Sequence, residues 1–346
     1  MARRSTAKSS KILLAHGSGG RLSHELVAKE FVPPWANPIL DQLDDSAVFA
    51  LSRDGSGPRL AFTTDSYVVK PLFFKGGDIG RLAVCGTVND LAMVGAKPLY
   101  LSASFVIEEG LSLATMRTVV QSMRQAAAEA GVQIVTGDTK VVEGGAADGL
   151  FVNTAGLGLV PPGLDIGGGR ARVGDAIILS GSIGDHGIAV LSQREGLEFE
   201  APVASDVAPL NDLVAAMLAA SANVRVLRDP TRGGLATSLN EIAQQSGVGI
   251  RIDEPKIPVK DGVWGACEML GFDPLYVANE GKLVAIVGPE DAEKVLNVMR
   301  ETRYGEEAAI IGEVVAEPQE KVLMKTTIGG TRIVHMLVGE MLPRIC

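Results

Sequence analysis

The stretch LAVCGTVNDLAMVGA, residues 82–96, constrains this chain more than any other. It has the length of a helix, is apolar on all sides and ends beside Gly95. In its middle stand Asn89 and Asp90. An ionised carboxylate buried without a partner is very unfavourable. The pair must therefore face a polar cavity, a cation or a lysine. A solvated helix face would relieve it equally well, but the flanking residues leave no such face.

A chain of 346 residues has room for two domains of ordinary size. With 46% hydrophobic and 21% charged residues it can bury a sizeable core. Aromatics are only 4%, which argues against stacking platforms for single-stranded nucleic acid. A net charge of -9 argues against a general phosphate-backbone binder, so no nucleic-acid partner is expected. An acidic protein can still take a nucleotide if a divalent cation stands between its carboxylates and the phosphates. Cys85, Cys267 and Cys346 form no CxxC pair, which fits a reducing cytoplasm and gives neither a disulfide framework nor a four-cysteine zinc site. The basic start carries Arg3 and Arg4, but the apolar run Ile12 to Ala15 is far too short for an export signal. No long apolar run suggests a membrane span, and Cys346 is not fourth from the end, as prenylation requires.

Read for organisation, the expected fold class is mixed α/β (α+β) in two domains. Residues 1–37 read as a polar, mobile N-terminal segment and 38–162 as the first domain. Residues 170–335 read as the second α/β domain, after a loop-like stretch, PPGLDIGGGRARVGD. Residues 336–346 are left as a mobile tail. DDSAVFAL, PRLAFTTD, KPLYLSASFVIE, VQIVTGDTKV and GLFVNTAGLGLV read as strands. SLATMRTVVQSMRQAAAEAG is an amphipathic helix ending at Gly131. In the second half, PLYVANEGKLVAIVG reads as a hairpin, EDAEKVLNVMRE as the final helix, and AIIGEVV and KVLMKTT as the last strands.

Acidic residues recur at the ends of apolar strands: Asp45 before one, Asp65 closing another, Asp138 after VQIVTG. Any one alone is ordinary turn chemistry. Gathered with Asp90 on one sheet they would repel one another unless cations neutralised them. Carboxylate oxygens suit Mg²⁺, so Asp45, Asp65, Asp90 and Asp138 are expected to surround Mg²⁺ and a polyphosphate. No P-loop motif is present. HGSGG, from His16 through Gly19 and Gly20, is a candidate anion nest, or simply a flexible linker. SGSIGDHG spaces its glycines GxxGxxG, a weak dinucleotide signature. Lys140 stands two residues beyond Asp138, on the same strand face; beside phosphate it would offset developing charge. RDPTRGGL joins a strand to a helix start that would favour anions, though capping explains much of it. NEGK holds Glu280, which matters only if it points into a cleft. His24, His186 and His335 are isolated in sequence, which gives little support to a histidine metal site.

Taken in order, HGSGG, DDSAV, TTDSYVVKPLFFKGGDIG, GTVNDLAMVGAKPLYLS, TGDTKVV, SGSIGDHGIAVLSQREGL, RDPTRGGLATSLNEIA, NEGK and LPRIC resemble the HypE family of hydrogenase maturation proteins. This family lies within the superfamily of aminoimidazole ribonucleotide synthetase, selenophosphate synthetase and thiamine monophosphate kinase (PurM-like). The resemblance runs from about His16 to Cys346, and the closing PRIC is its most specific part. It implies a two-domain PurM-like fold and a homodimer, the N-terminal domains sharing a β-barrel. It implies ATP and Mg²⁺ in the cleft, with Asp45, Asp65, Asp90, Asp138 and Asp229 on metal- and nucleotide-binding positions. Asn89 falls in the same motif as Asp90. Lys140 and Glu280 fall at the reaction centre, Glu280 as base, acting with His16 or Lys140.

The resemblance also implies a reaction. A carbamoyltransferase, HypF, loads a carbamoyl group on the Cys346 thiol. ATP then phosphorylates the carboxamide oxygen, and loss of phosphate and protons leaves a thiocyanate. The cyanide passes to iron on a HypC–HypD complex, for the [NiFe]-hydrogenase site. Two other readings stay open: a superfamily kinase or synthetase acting on a free small molecule, which leaves Cys346 unused, and a non-catalytic carrier whose nucleotide only gates the tail. A run from Val338 could reach roughly 25 Å, enough to enter and leave a cleft.

Overall fold

The computed structural model describes residues 11–52, 55, 57–197, 203–339, 342 and 344–346. The paired Arg3 and Arg4, much of the SRDGSG turn and Pro343 lie outside the described residues.

The first half begins with a 3-10 turn at Leu14–Gly17, then α1 (Arg21–Leu26), a wide helical stretch Val27–Phe31 and α2 (Val32–Trp35). Where a mobile segment was expected, residues 14–17 and 21–35 are helical. The start of α1 is tied to the first part of the tail: Arg21 N–H donates to the Leu337 carbonyl at 2.9 Å and Ser18 Oγ to that of Gly339 at 2.9 Å. There follow β1 (Ala47–Ala50), β2 (Arg59–Tyr67), the short pair β3 (Phe73–Phe74) and β4 (Gly77–Asp78), and α3 (Ile79–Met93). Next come β5 (Lys97–Glu108), α4 (Leu113–Ala130), β6 (Gln133–Val142) and β7 (Leu150–Val160). The five long strands form one sheet in the order β1-β2-β7-β5-β6, with only β5 and β6 parallel. Asp65 and Asp138 therefore sit inside strands, not at their ends.

Only Arg81 and Asp90 of the fifteen residues of α3 escape full burial. The Asp78 carboxylate caps its start, accepting from Gly80 N–H (2.7 Å) and Arg81 N–H (3.1 Å). Gly86 is required in its middle, because a Cβ there would stand 2.2 Å from the Tyr67 hydroxyl. Helices α3 and α4 cover one face of the sheet, packing Leu82, Val88, Val119 and Met123 on Leu101, Leu150 and Val152. The other face is left uncovered, with Phe62, Tyr100, Val106 and Leu159 exposed.

The second half comprises β8 (Ala176–Leu179), α5 (Asp185–Glu195), α6 (Asn211–Ala220), β9 (Val224–Arg228), α7 (Gly234–Ser246), β10 (Gly249–Asp253) and α8 (Asp261–Leu270). It ends with β11 (Val284–Val287), α9 (Ala292–Arg300), β12 (Ala309–Val315), β13 (Val322–Lys325) and β14 (Thr331–Val334). The seven strands pair in the order β14-β13-β10-β12-β8-β11-β9. Its β8-β11-β9 part is buried on both faces. Along β11, Val284 and Ile286 pack on α7, while Ala285 and Val287 pack on α6 and α9. Ala92 and Met93 at the end of α3 join that second layer, which locks the two halves together. The expected hairpin is not formed: a 3-10 turn, Pro274–Tyr276, and an irregular run lead into β11, whose neighbours are β8 and β9. The last strand is β14, where short, polar TRIV gives little signal.

Candidate functional site

Between the two halves lies a cavity of about 350 Å³ lined by Asp45, Asp65, Asp90, Asp229, Glu280 and Cys346, among others. Each comes from a different element: the run before β1, β2, the last turn of α3, the residue after β9, the run before β11, and the tail. Thr63 on β2 ties two of them together, its Oγ1 lying 2.8 Å from Asp90 Oδ2 and 3.1 Å from the Asp45 carbonyl. Arg228 stands 3.6 Å from Asp45 and 2.8 Å from Glu241, which in turn holds His24 of α1 at 2.6 Å. The N-terminal helix is thus anchored to the wall of the cavity.

Burial raises Asp45, Asp90, Asp229 and Glu280, and repulsion from neighbouring acids adds to it. Asp229 is pushed up to about 8 and Asp45 to about 6, with Arg228 opposing at both. Asp90 and Glu280 are raised well above the carboxylate range. Glu280 Oε1 is buried without a hydrogen-bond partner. Acids so placed fit a divalent cation, whose charge removes their repulsion. Among the described residues no three His, Cys, Asp or Glu side chains converge on one point; Mg²⁺ commonly completes its shell with phosphate oxygens and water.

Expected to be mobile, the tail is seated here. Val68 N–H donates to the Cys346 carbonyl (3.1 Å) and Lys70 N–H to that of Arg344 (3.2 Å), extending the line of β2. Arg344 donates to the Val68 carbonyl at 3.0 Å and pairs with Asp148. The Cys346 thiol is pushed up to about 12 by burial, against the opposing charge of Arg232.

Expectations about five site residues change. Asn89 does not face the cavity: its amide donates to the Ala208 and Glu280 carbonyls (3.0 and 3.4 Å) and accepts from Leu210 N–H (2.8 Å). It staples α3 to the second half. His16 is likewise outside, its Nδ1 taken up by Leu13 N–H at 3.0 Å within the 3-10 turn. Gly19 lines the cavity, whereas Gly20 is buried against Leu337, whose carbonyl would lie 2.3 Å from an added Cβ. Asp138 and Lys140 do share a strand face, Nζ lying 2.6 Å from Asp138 Oδ2. But β6 is the far edge of the sheet, separated from β2 by β7 and β5, and both side chains are more than half exposed. One chain does not bring them to the cavity. Sequence reading missed Thr63, Arg232, His186 and Asp148; three of these stood in quoted motifs, TTDSYVVKPLFFKGGDIG, RDPTRGGL and SGSIGDHG.

A mixed sheet in each half with an acid-lined cleft between them defines the AIR synthase related class. The AIR synthase related protein N-terminal domain matches residues 43–160, and its C-terminal domain matches residues 172–325. Carbamoyl dehydratase HypE of Cupriavidus necator is 57% identical over 339 residues, covering 98% of this chain and 96% of that protein. A crystal structure of a HypE–HypF complex matches with a TM-score of 0.85 and 49% identity, covering 92% of this chain and 100% of that one. A crystal structure of HypE in complex with ATP gives 0.81 and 52%, covering 97% and 100%. The chain belongs to the HypE family of carbamoyl dehydratases.

Proposed function

We propose that this chain performs ATP-dependent dehydration of a carbamoyl group carried on its own Cys346, leaving a thiocyanate whose cyanide serves the iron of [NiFe]-hydrogenase. The observation that carries this reading is the burial of Cys346 in the same cavity as Asp45, Asp65, Asp90, Asp229 and Glu280. A thiol seated among acids would be poorly placed for catalysis unless it carried the substrate, since burial keeps it protonated.

Asp45, Asp65, Asp90 and Asp229 would hold Mg²⁺ and, through it, the triphosphate. The ion supplies positive charge for the phosphates and for these acids. Glu280, with an unpartnered oxygen, is placed to take a proton from the carboxamide nitrogen. Water is kept from the reacting carbon by the seated tail. The uncovered sheet face and the open β6 edge support a homodimer, in which a second copy brings Asp138 and Lys140 to the cleft. HypF would load the tail and a HypC–HypD complex would unload it, both acting on an undocked Cys346. Its unpaired cysteines suit a reducing cytoplasm, and no helix among the described residues is long and apolar enough to cross a membrane.

The test is intact mass of the carbamoylated full chain with Mg²⁺ and ATP. Loss of one water from the Cys346 peptide is expected; ATP hydrolysis with no change at Cys346 overturns the reading.

A further inference from the structure

The Cys346 peptide is gripped from outside the cavity, by a buried imidazole in the SGSIGDHG motif. His186 is fully buried on the first turn of α5, with its ring edge-on to Phe74 at 5.4 Å. Its Nε2 lies 2.6 Å from the carbonyl oxygen of Ile345, and its Nδ1 lies 2.8 Å from Ser205 Oγ. A carbonyl can only accept, so Nε2 carries the proton and Nδ1 accepts from the serine hydroxyl. Ser205 Oγ is free to do this, since its other contact is as acceptor from Val207 N–H at 3.2 Å. The Ile345 carbonyl belongs to the peptide that carries Cys346 N–H. Fixing it therefore fixes the thiol-bearing residue directly.

The same frame holds Glu280. Asp206, next to Ser205, accepts from Glu280 N–H at 3.0 Å and lies 3.3 Å from Lys282. Gly184 N–H donates to Asn279 Oδ1 (2.7 Å) and Gly187 N–H to the Ala278 carbonyl (3.1 Å), tying the start of α5 to the run that carries Glu280. The frame is anchored in turn on the first half, where Ser205 N–H donates to the Lys75 carbonyl at 2.8 Å. None of His186, Ser205 and Asp206 lines the acid cavity.

We propose that His186, oriented by Ser205, is a positioning residue that registers the tail peptide against Glu280 for the dehydration step. It acts only on the docked tail, so its loss does not block loading of Cys346, which needs the tail out. The inference rests on the reading above for its catalytic consequence, but not for its structural one.

The test uses the full chain in two arms. In the first, alkylation of Cys346 by iodoacetamide is followed by peptide mass, without nucleotide. His186→Ala is expected to speed alkylation by about ten-fold, the worth of one buried hydrogen bond. His186→Gln, which restores a donor near Nε2, should return it to within about two-fold of wild type. Ser205→Ala, which leaves the ring in place, should give an intermediate rise. In the second arm, carbamoylated His186→Ala loses water more slowly by a similar factor, while ATP affinity and the extent of carbamoyl loading stay at wild-type values. Alkylation at the wild-type rate in His186→Ala overturns the proposal. So does a His186→Gln protein that alkylates as fast as the alanine variant, since packing on Phe74 would then be the role. If the alanine variant does not fold, His186→Gln and Ser205→Ala decide: near-wild-type protection in the first with faster labelling in the second is expected, and wild-type labelling in the second overturns it. Failure of the wild-type chain to lose water would sink the dehydratase reading and leave the alkylation pattern intact.

Discussion

Asp90 and Asp138 look alike in sequence, each an aspartate set in an apolar stretch, yet the fold treats them in opposite ways. Asp90 ends up in the interdomain cavity, where burial and then Asp229, Asp65 and Asp45 raise it. Asp138 stands on the open edge strand, where Lys140 and the Thr139 N–H lower it. The first acid faces other acids. The second is paired with Lys140 on an exposed strand face. The difference separates a site that one chain forms from a pair that one chain leaves on its surface.

The strongest challenge to that comparison is removal of the thiol. Cys346→Ala should abolish the carbamoyl and thiocyanate products in intact mass and leave ATP binding unchanged. Glu280→Gln should slow dehydration by about 10²–10⁴, the usual range for loss of a general base, with loading retained; a rate within a few-fold of wild type assigns the base elsewhere. Mixing then asks whether β6 acts across subunits. Lys140→Ala and Cys346→Ala chains, each inactive alone, should regain dehydration when co-refolded, because one site then has both groups. No recovery would place Lys140 in its own chain's cleft.

Smaller effects test the frame. Asn89→Leu removes the staple and leaves buried backbone groups unpaired, so it should cost about 1–3 kcal/mol in urea unfolding. The pH dependence of stability tests the crowding of acids. Asp229 sits at about 8 in the fold against 3.8 in its ordinary state. The folded chain therefore keeps a proton that the unfolded chain has lost. That contribution is complete below 3.8 and disappears as pH rises through about 8. Nucleotide-free Tm should fall across this window, and Asp229→Asn should flatten the slope; an unchanged slope would mean that burial does not hold the proton on Asp229.

What could be read ahead follows from where information is local. The apolar run around Asp90 dictated a buried helix facing polar space, and the Asp138–Lys140 spacing dictated a shared face. Neither said which surface that face would meet, because sheet order is a long-range property: β6 became an edge by pairing with β5 alone. Asn89 misled for a related reason. An amide beside a cavity acid reads as a ligand until the backbone of Ala208 and Leu210, more than a hundred positions away, takes up its groups. His186 was invisible because its partners, Ser205 and Ile345, have no sequence relation to it.

Ile345 and Cys346 pack within the core of the first half, alongside Leu82 and Val152. A tail that leaves to be loaded thus opens the folded body itself. Uncovering one large apolar side chain costs about 1.5–3 kcal/mol, a contribution that favours the docked form by about ten- to a hundred-fold. Any protein that handles this cysteine must offer Ile345 a comparable apolar pocket, or its apparent affinity falls by that factor. The isoleucine works as a toll on departure: it makes the tail return home promptly after each exchange and sets a lower bound on how greasy its receivers must be.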